Sequence, residues 1–128
     1  MPTFPGATGD VVTSAMWNGL PAFEVQTAKT ADYTISDGDQ YQQLIPMNKS
    51  SVADFLIPTD ATFNFPIGTV ITVLNQAVDE VTIEAVTSGT TTVLSAGAVA
   101  ASPTLAQYKS AACIKTAANT WYIVGAVA

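Results

Sequence analysis

Four groupings in this sequence have side chains of the types that do chemistry in other proteins. Asp37-Gly38-Asp39 sets two carboxylates around a glycine, as the opening of a calcium loop does. Such a loop needs further oxygen ligands at fixed spacing and a closing bidentate Glu. Gln40-Tyr41-Gln42-Gln43 follows instead, so a solvated β-turn is expected. Asp79-Glu80 with Glu84 offers carboxylates for acid/base work, but such pairs act on a glycosidic bond only when they face each other across the sugar. Asp79 and Glu80 are adjacent, and Glu84 alternates outward with Thr82, so all three are expected on a solvated strand surface. Cys113, the single cysteine, lies in the run AACIK. A reactive thiolate needs a cationic neighbour, and the only candidate, Lys115, is assigned to the other strand face. Cys113 is expected to be a small buried hydrophobe. Lastly, rings such as Tyr33, Tyr41, Tyr108 and Tyr122 can stack on sugars. Most are expected in core or edge packing, and an exposed one clustered with Asn and Gln would make a glycan site.

What the chain lacks narrows the chemistry further. It has 4 lysines, no arginine, no histidine and 10 carboxylates, for a net charge of −6. Without imidazole or guanidinium, the usual proton shuttles, metal ligands and oxyanion clamps are missing. No catalytic, cofactor or metal site is assigned, and the chain is expected not to be an enzyme. Four scattered lysines cannot neutralise a run of phosphates, so nucleic acid is not an expected partner.

Only 11% of the 128 residues are charged, against about 25% in an ordinary soluble domain. Ser, Thr, Asn and Gln number 37, so the surface is covered mainly by hydroxyls and amides. The mean hydropathy of +0.33 implies that some apolar surface is hidden against other subunits, and a homo-oligomer is expected. The start MPTFPGATGD has neither the basic nor the apolar region of a signal peptide, and no apolar run nears the ~20 residues of a membrane span. Synthesis in a cytoplasm, with no membrane partner, is expected.

The elements that would position these groups divide the chain in two. Residues 1–28 read as an N-terminal arm, extended through Pro2, Pro5, Gly6 and Gly9, with a short helical turn after Asp10 that Pro21 stops. So short a helix must dock on something. Phe4, Trp17, Leu20 and Phe23 are its candidate anchors, as an assembly interface with a neighbouring subunit or against the chain's own domain. Residues 29–128 read as strands and turns throughout: ADYTIS, YQQLIPMN, VADFLIP, TVITVLN, DEVTIEAV, TTTVLS, SAACIKT and TWYIVG. TVITVLN and DEVTIEAV look like a hairpin near Gln76-Ala77-Val78, the last two strands like a second across Ala117-Ala118-Asn119, and SAGAVAASPTLAQ like a long loop. The expected fold is all-β, a β-sandwich or jelly-roll-like barrel of about 8–9 short antiparallel strands.

The order of several features carries a resemblance. ADYTIS comes first, then a polar strand, then FNFPIGTVITVLNQ, in which Phe65-Pro66-Ile67-Gly68-Thr69 opens a strand of alternating Val, Ile and Thr. DEVTIEA, TTTVLSAG and the ending AACIKTAANTWYIVGAV follow. The run 31–125 thereby resembles a β-rich domain of tailed-bacteriophage structural proteins, and GDVVTSAMWNGLP is similar to leader segments ahead of phage tail and head proteins. The resemblance implies a virion role on the outer surface of a phage particle, with threefold assembly. The module occurs in long tail fibres or spikes and in small capsid decoration (cement) proteins. A chain of one module with no fibrous shaft points to decoration, as a homotrimer bridging copies of the major capsid protein. The alternative is a tail-fibre, spike or head-fibre subunit that binds host glycan.

Overall fold

The computed structural model describes residues 24–41, 43–95, 98–99 and 101–128. The helical turn and the anchors Phe4, Trp17, Leu20 and Phe23 lie outside the described residues.

Among the described residues ten strands follow in order: β1 (Tyr33–Thr34), β2 (Leu44–Met47), β3 (Ala53–Ile57), β4 (Val70–Asn75), β5 (Val81–Ala85), β6 (Thr92–Ser95), β7 (Ala98–Val99), β8 (Thr104–Leu105), β9 (Ser110–Ala117) and β10 (Thr120–Gly125). The expectation of an all-β chain holds. The strands form a four-stranded sheet, β1-β3-β5-β8, and a six-stranded sheet, β2-β4-β9-β10-β6-β7. Neither closes into a barrel.

The strands are not all antiparallel, as the sequence pattern suggested. From β1 to β6 the chain crosses between the sheets at every connection, so successive strands of one sheet run the same way. β1–β3, β3–β5 and β2–β4 are parallel pairs, and so is β10–β6. The segment before β1 follows the same rule, with parallel bridges from Val25 to Leu44 and from Lys29 to Met47. The chain thus winds as a flattened coil, which the returning β8, β9 and β10 complete.

The expected hairpin of TVITVLN with DEVTIEAV is therefore an arch. β4 belongs to one sheet and β5 to the other. Asn75 makes the bend. Its Oδ1 accepts from the Ala77 N–H at 2.9 Å, a local turn of the kind Asn side chains favour. Its Nδ2 donates to Asp79 O and Leu105 O, both at 2.9 Å. Strand alternation explains why an arch wins. Ile71 and Val73 of β4 and Val81 and Ile83 of β5 are all buried, and an arch turns two apolar faces toward each other where a hairpin would lay them side by side. The β9–β10 hairpin forms as expected, with Asn119 at φ 47° in its turn. The stretch read as a long loop, 95–107, contains β7 and β8.

One core lies between the sheets. Phe55, Ile57, Val81, Ile83 and Leu105 enter from the four-stranded sheet, and Ile45, Met47, Ile71, Val73, Val93, Cys113 and Trp121 from the six-stranded one. Phe65 packs edge-on against Trp121 with centroids 5.6 Å apart, and Phe63 edge-on against Phe65 at 4.5 Å. Each such pair adds about 0.5–1.5 kcal/mol beyond area burial.

β10 ends at Gly125, with φ 141°, where β9 runs so close that a Cβ would sit 2.6 Å from Ser110 O and 2.8 Å from Ala111 Cα. Those obstacles are backbone and cannot swing away. Gly125→Ala should therefore lower stability by at least about 1–3 kcal/mol. Gly38→Ala, with nothing within 4 Å, should stay within about 0.5 kcal/mol of the parent; urea midpoints of the two variants check the contrast.

Candidate functional site

Three polar constellations stand out from the hydroxyl-rich background, and the first corrects an expectation. Asp37-Gly38-Asp39 is not a solvated β-turn. Residues Asp37–Gln40 form a 3-10 turn, and Asp39 is only 3% exposed. Its carboxylate accepts from Tyr33 Oη at 2.9 and 2.8 Å, from Gln26 Nε2 at 2.6 Å and from the Ser36 N–H at 2.8 Å. Burial, then the hydrogen bond to Asp39, push the Tyr33 phenol up to about 12. The Lys29 ammonium sits 4.5 Å over the Tyr33 ring. Asp39 serves as a structural acceptor that ties three segments together.

The second constellation surrounds Lys115. It shares the inward face with Cys113, two positions away on β9, contrary to the parity assigned from sequence. At 1% exposure, its Nζ donates to Asp60 Oδ1 at 2.8 Å, Asn64 Oδ1 at 2.7 Å and Phe65 O at 2.7 Å. All three ammonium protons are thus engaged. Asp60 completes the clamp, its Oδ2 accepting from the Asn119 N–H and its own N–H donating to Asn119 Oδ1. Backbone bonds from Gly68 to Lys115 O and from Lys115 to Thr69 O seat the end of the same loop. Desolvation raises the Asp60 carboxyl, but the hydrogen bonds from Lys115 and Asn119 and the Lys115 charge outweigh it and leave it below its ordinary value.

Of the other sequence candidates, Asp79 and Glu80 are exposed and Glu84 is half-buried on an outward strand position. The Cys113 thiol is fully buried, and burial alone pushes it up to about 12. Among the described residues no three His, Cys, Asp or Glu side chains gather as a metal-holding group.

The third constellation is an open groove of about 350 Å³ between the 40–43 and 66–69 loops, lined by Gln40, Tyr41, Gln43, Pro66, Ile67, Gly68 and Thr69. Tyr41 and Ile67 stand out at 62% and 68% exposure. Across the Pro66-Ile67 ridge lies a second groove of about 340 Å³, bordered by the exposed Asn64 and the half-buried Asp60, with the buried Lys115 beneath them. No family model, curated protein or solved structure matches this chain.

The two sheets also differ on their outer faces. The four-stranded sheet carries Asp54, Thr82 and Glu84 there. The six-stranded sheet carries no charge on the outer face of β4, β9, β10 or β6: Val70, Ile114, Tyr122 and Leu94 lie opposite one another in a continuous row across these four strands. Thr72, Ala112 and Val124 form the neighbouring row, also without charge. Strand alternation makes this face readable from sequence, but only once the strand order is known.

The clamp and the thiol each generate a test. Asp60→Asn leaves a buried ammonium without its counter-charge, so stability should fall by about 3 kcal/mol, the low end of the cost of breaking a buried pair, because Asn64 and Phe65 still accept. The folded Asp60 pKa lies below its unfolded value of roughly 3.9. Its stabilisation is therefore present above that pH and lost as pH falls through the lower folded value. Urea melts at pH 7 and at about pH 3 should show the parent approaching the variant in acid. Cys113 should not react with a thiol reagent in the native protein and should react once per chain in denaturant.

Proposed function

We propose that this protein is a bacteriophage virion structural protein, a trimeric decoration (cement) protein on the outer capsid surface that bridges copies of the major capsid protein. The two facing sheets are read as a β-sandwich, and no catalytic step is assigned to it. One observation carries the reading: the uncharged row Val70–Ile114–Tyr122–Leu94 across the six-stranded sheet. A face without charge on a chain of net charge −6 suits permanent contact with protein, because desolvating it sacrifices no ionic hydration. The charged outer face of the other sheet suits water.

The mechanism is mechanical. A trimer over a local threefold covers joints between capsid subunits and gains about 25 cal/mol for each Å² of apolar surface buried. Binding only the expanded lattice stabilises that lattice by mass action. The arm, with Phe4, Trp17, Leu20 and Phe23, is assigned to contacts with the neighbouring subunits.

The second reading, a fibre, spike or head-fibre subunit that binds host glycan, is favoured by the exposed Tyr41 between Gln40 and Gln43. Copy number separates the two: hundreds per particle for decoration, dozens or fewer for a fibre, read by densitometry of purified virions.

Tyr122→Lys puts a charge in the middle of the apolar row at a side chain 45% exposed. Light scattering should show the trimer reduced to monomers, with the urea midpoint of the monomer little changed; an intact trimer would exclude this face as the interface. Deletion of residues 1–23 should abolish capsid occupancy or trimerisation, and unchanged occupancy would remove the arm from the assembly role.

A further inference from the structure

We propose that the groove between the 40–43 and 66–69 loops is a binding site for neutral pyranose rings, with the Tyr41 ring as the stacking platform and the Gln40 and Gln43 carboxamides as the hydroxyl readers. The proposal names the ligand class and the residues for the glycan reading above. It rests on that reading only for the biological use of the site, since binding is a property of the purified chain.

The lining sets the class of ligand. Among the described residues none that borders the groove is charged, so neither an anion nor a cation finds a counter-charge. An aromatic side chain 62% exposed beside an isoleucine 68% exposed offers an apolar floor to the C–H face of a sugar. At about 350 Å³ the groove lies within the roughly 300–1,000 Å³ of small-molecule sites.

The walls are held before any ligand arrives. Gln40 Nε2 donates to Asp37 Oδ1 at 2.9 Å, and Gln43 Nε2 to Gln40 O at 3.1 Å. Each carboxamide thus spends one N–H on its own loop. Among the described residues that leaves a second N–H and the Oε1 acceptor, the paired donor and acceptor that vicinal hydroxyls match. On the opposite wall Thr69 N–H and Oγ1 both bond Pro66 O, and Gly68 is tied to Lys115. These backbone donors are already spent, which disfavours an extended peptide pairing through its main chain and leaves recognition to side chains.

The second groove extends the site. It shares Pro66 and Ile67 and presents Asn64, whose Oδ1 is held by Lys115, so an oligosaccharide lying over the ridge meets the Asn64 amide N–H donors beyond the first ring. A shallow open site of this kind binds a single ring with millimolar affinity. Several copies on one particle raise that by about 10²–10⁴ through avidity.

The test is a heteronuclear NMR titration of the purified full chain with methyl α-D-mannopyranoside, methyl β-D-galactopyranoside, methyl β-D-glucopyranoside and maltotetraose. At least one should give saturable shifts confined to residues around 40–43 and 66–69. Maltotetraose shifts should extend to Asn64. Tyr41→Ala should weaken binding at least tenfold with an unchanged urea midpoint, and Tyr41→Trp should retain it. No saturable shift with any of the four, shifts centred elsewhere, or equal binding by Tyr41→Ala would each overturn the proposal. Tighter binding of sialyllactose than of every neutral sugar would overturn its neutral selectivity. Virion copy number and cell binding bear on the biological reading separately, so either can fail alone.

Discussion

A buried ammonium cannot be left without partners, and that demand at Lys115 shapes much of this molecule. An unpaired cation in the core would cost several kcal/mol. The chain meets the cost by bringing Asp60, Asn64 and the Phe65 carbonyl onto one nitrogen. The connection from β3 to β4 is thereby pressed onto the β9–β10 turn. Phe65 is delivered to Trp121 with Phe63 edge-on against it, and residues 66–69 are set as a firm wall on the surface. With no histidine or arginine in the chain, such a clamp has to be built from lysine, amides and backbone.

Alternation along each strand was legible in the sequence because it is local. Val81 and Ile83 inward with Glu84 outward, and Trp121 and Ile123 inward with Tyr122 and Val124 outward, follow from the two-residue period alone. The terminal hairpin was legible too, through its short Ala-Ala-Asn turn. Strand pairing was not, because hairpin and arch share the same apolar pattern and differ only in which way the chain leaves the sheet. At β4 that choice rests on what the Asn75 side chain bonds, including Leu105 O, 30 residues away. Asp39 was misread for a similar reason: the partners that desolvate it, Gln26 and Tyr33, come from outside its own turn. Lys115 was different, since a correct count of parity from Cys113 places it inside. The Tyr41 groove joins two loops that are distant in sequence, and only the individual side chains were visible beforehand.

The uneven placement of charge gives the composition its meaning. Few ionic groups are present, and several are spent internally: Lys115 with Asp60, and Asp39 with Tyr33. Asp54 and Glu84 mark one outer face, while the row through Ile114 and Tyr122 has none. Hydroxyls and amides keep such a surface wettable without committing it to electrostatic partners, so contacts built on it vary little with salt.

The sheets finish in scraps of strand. β1 and β8 border the four-stranded sheet, and β7 closes one side of the six-stranded sheet, each only two residues long. The far side is flanked by the two bridges from Val25 and Lys29. Ladders this short give an incoming backbone almost nothing to zip along. Longer bare edges would risk polymerisation into ribbons at high local concentration; among the described residues, growth by strand addition is stunted at the margins of both sheets.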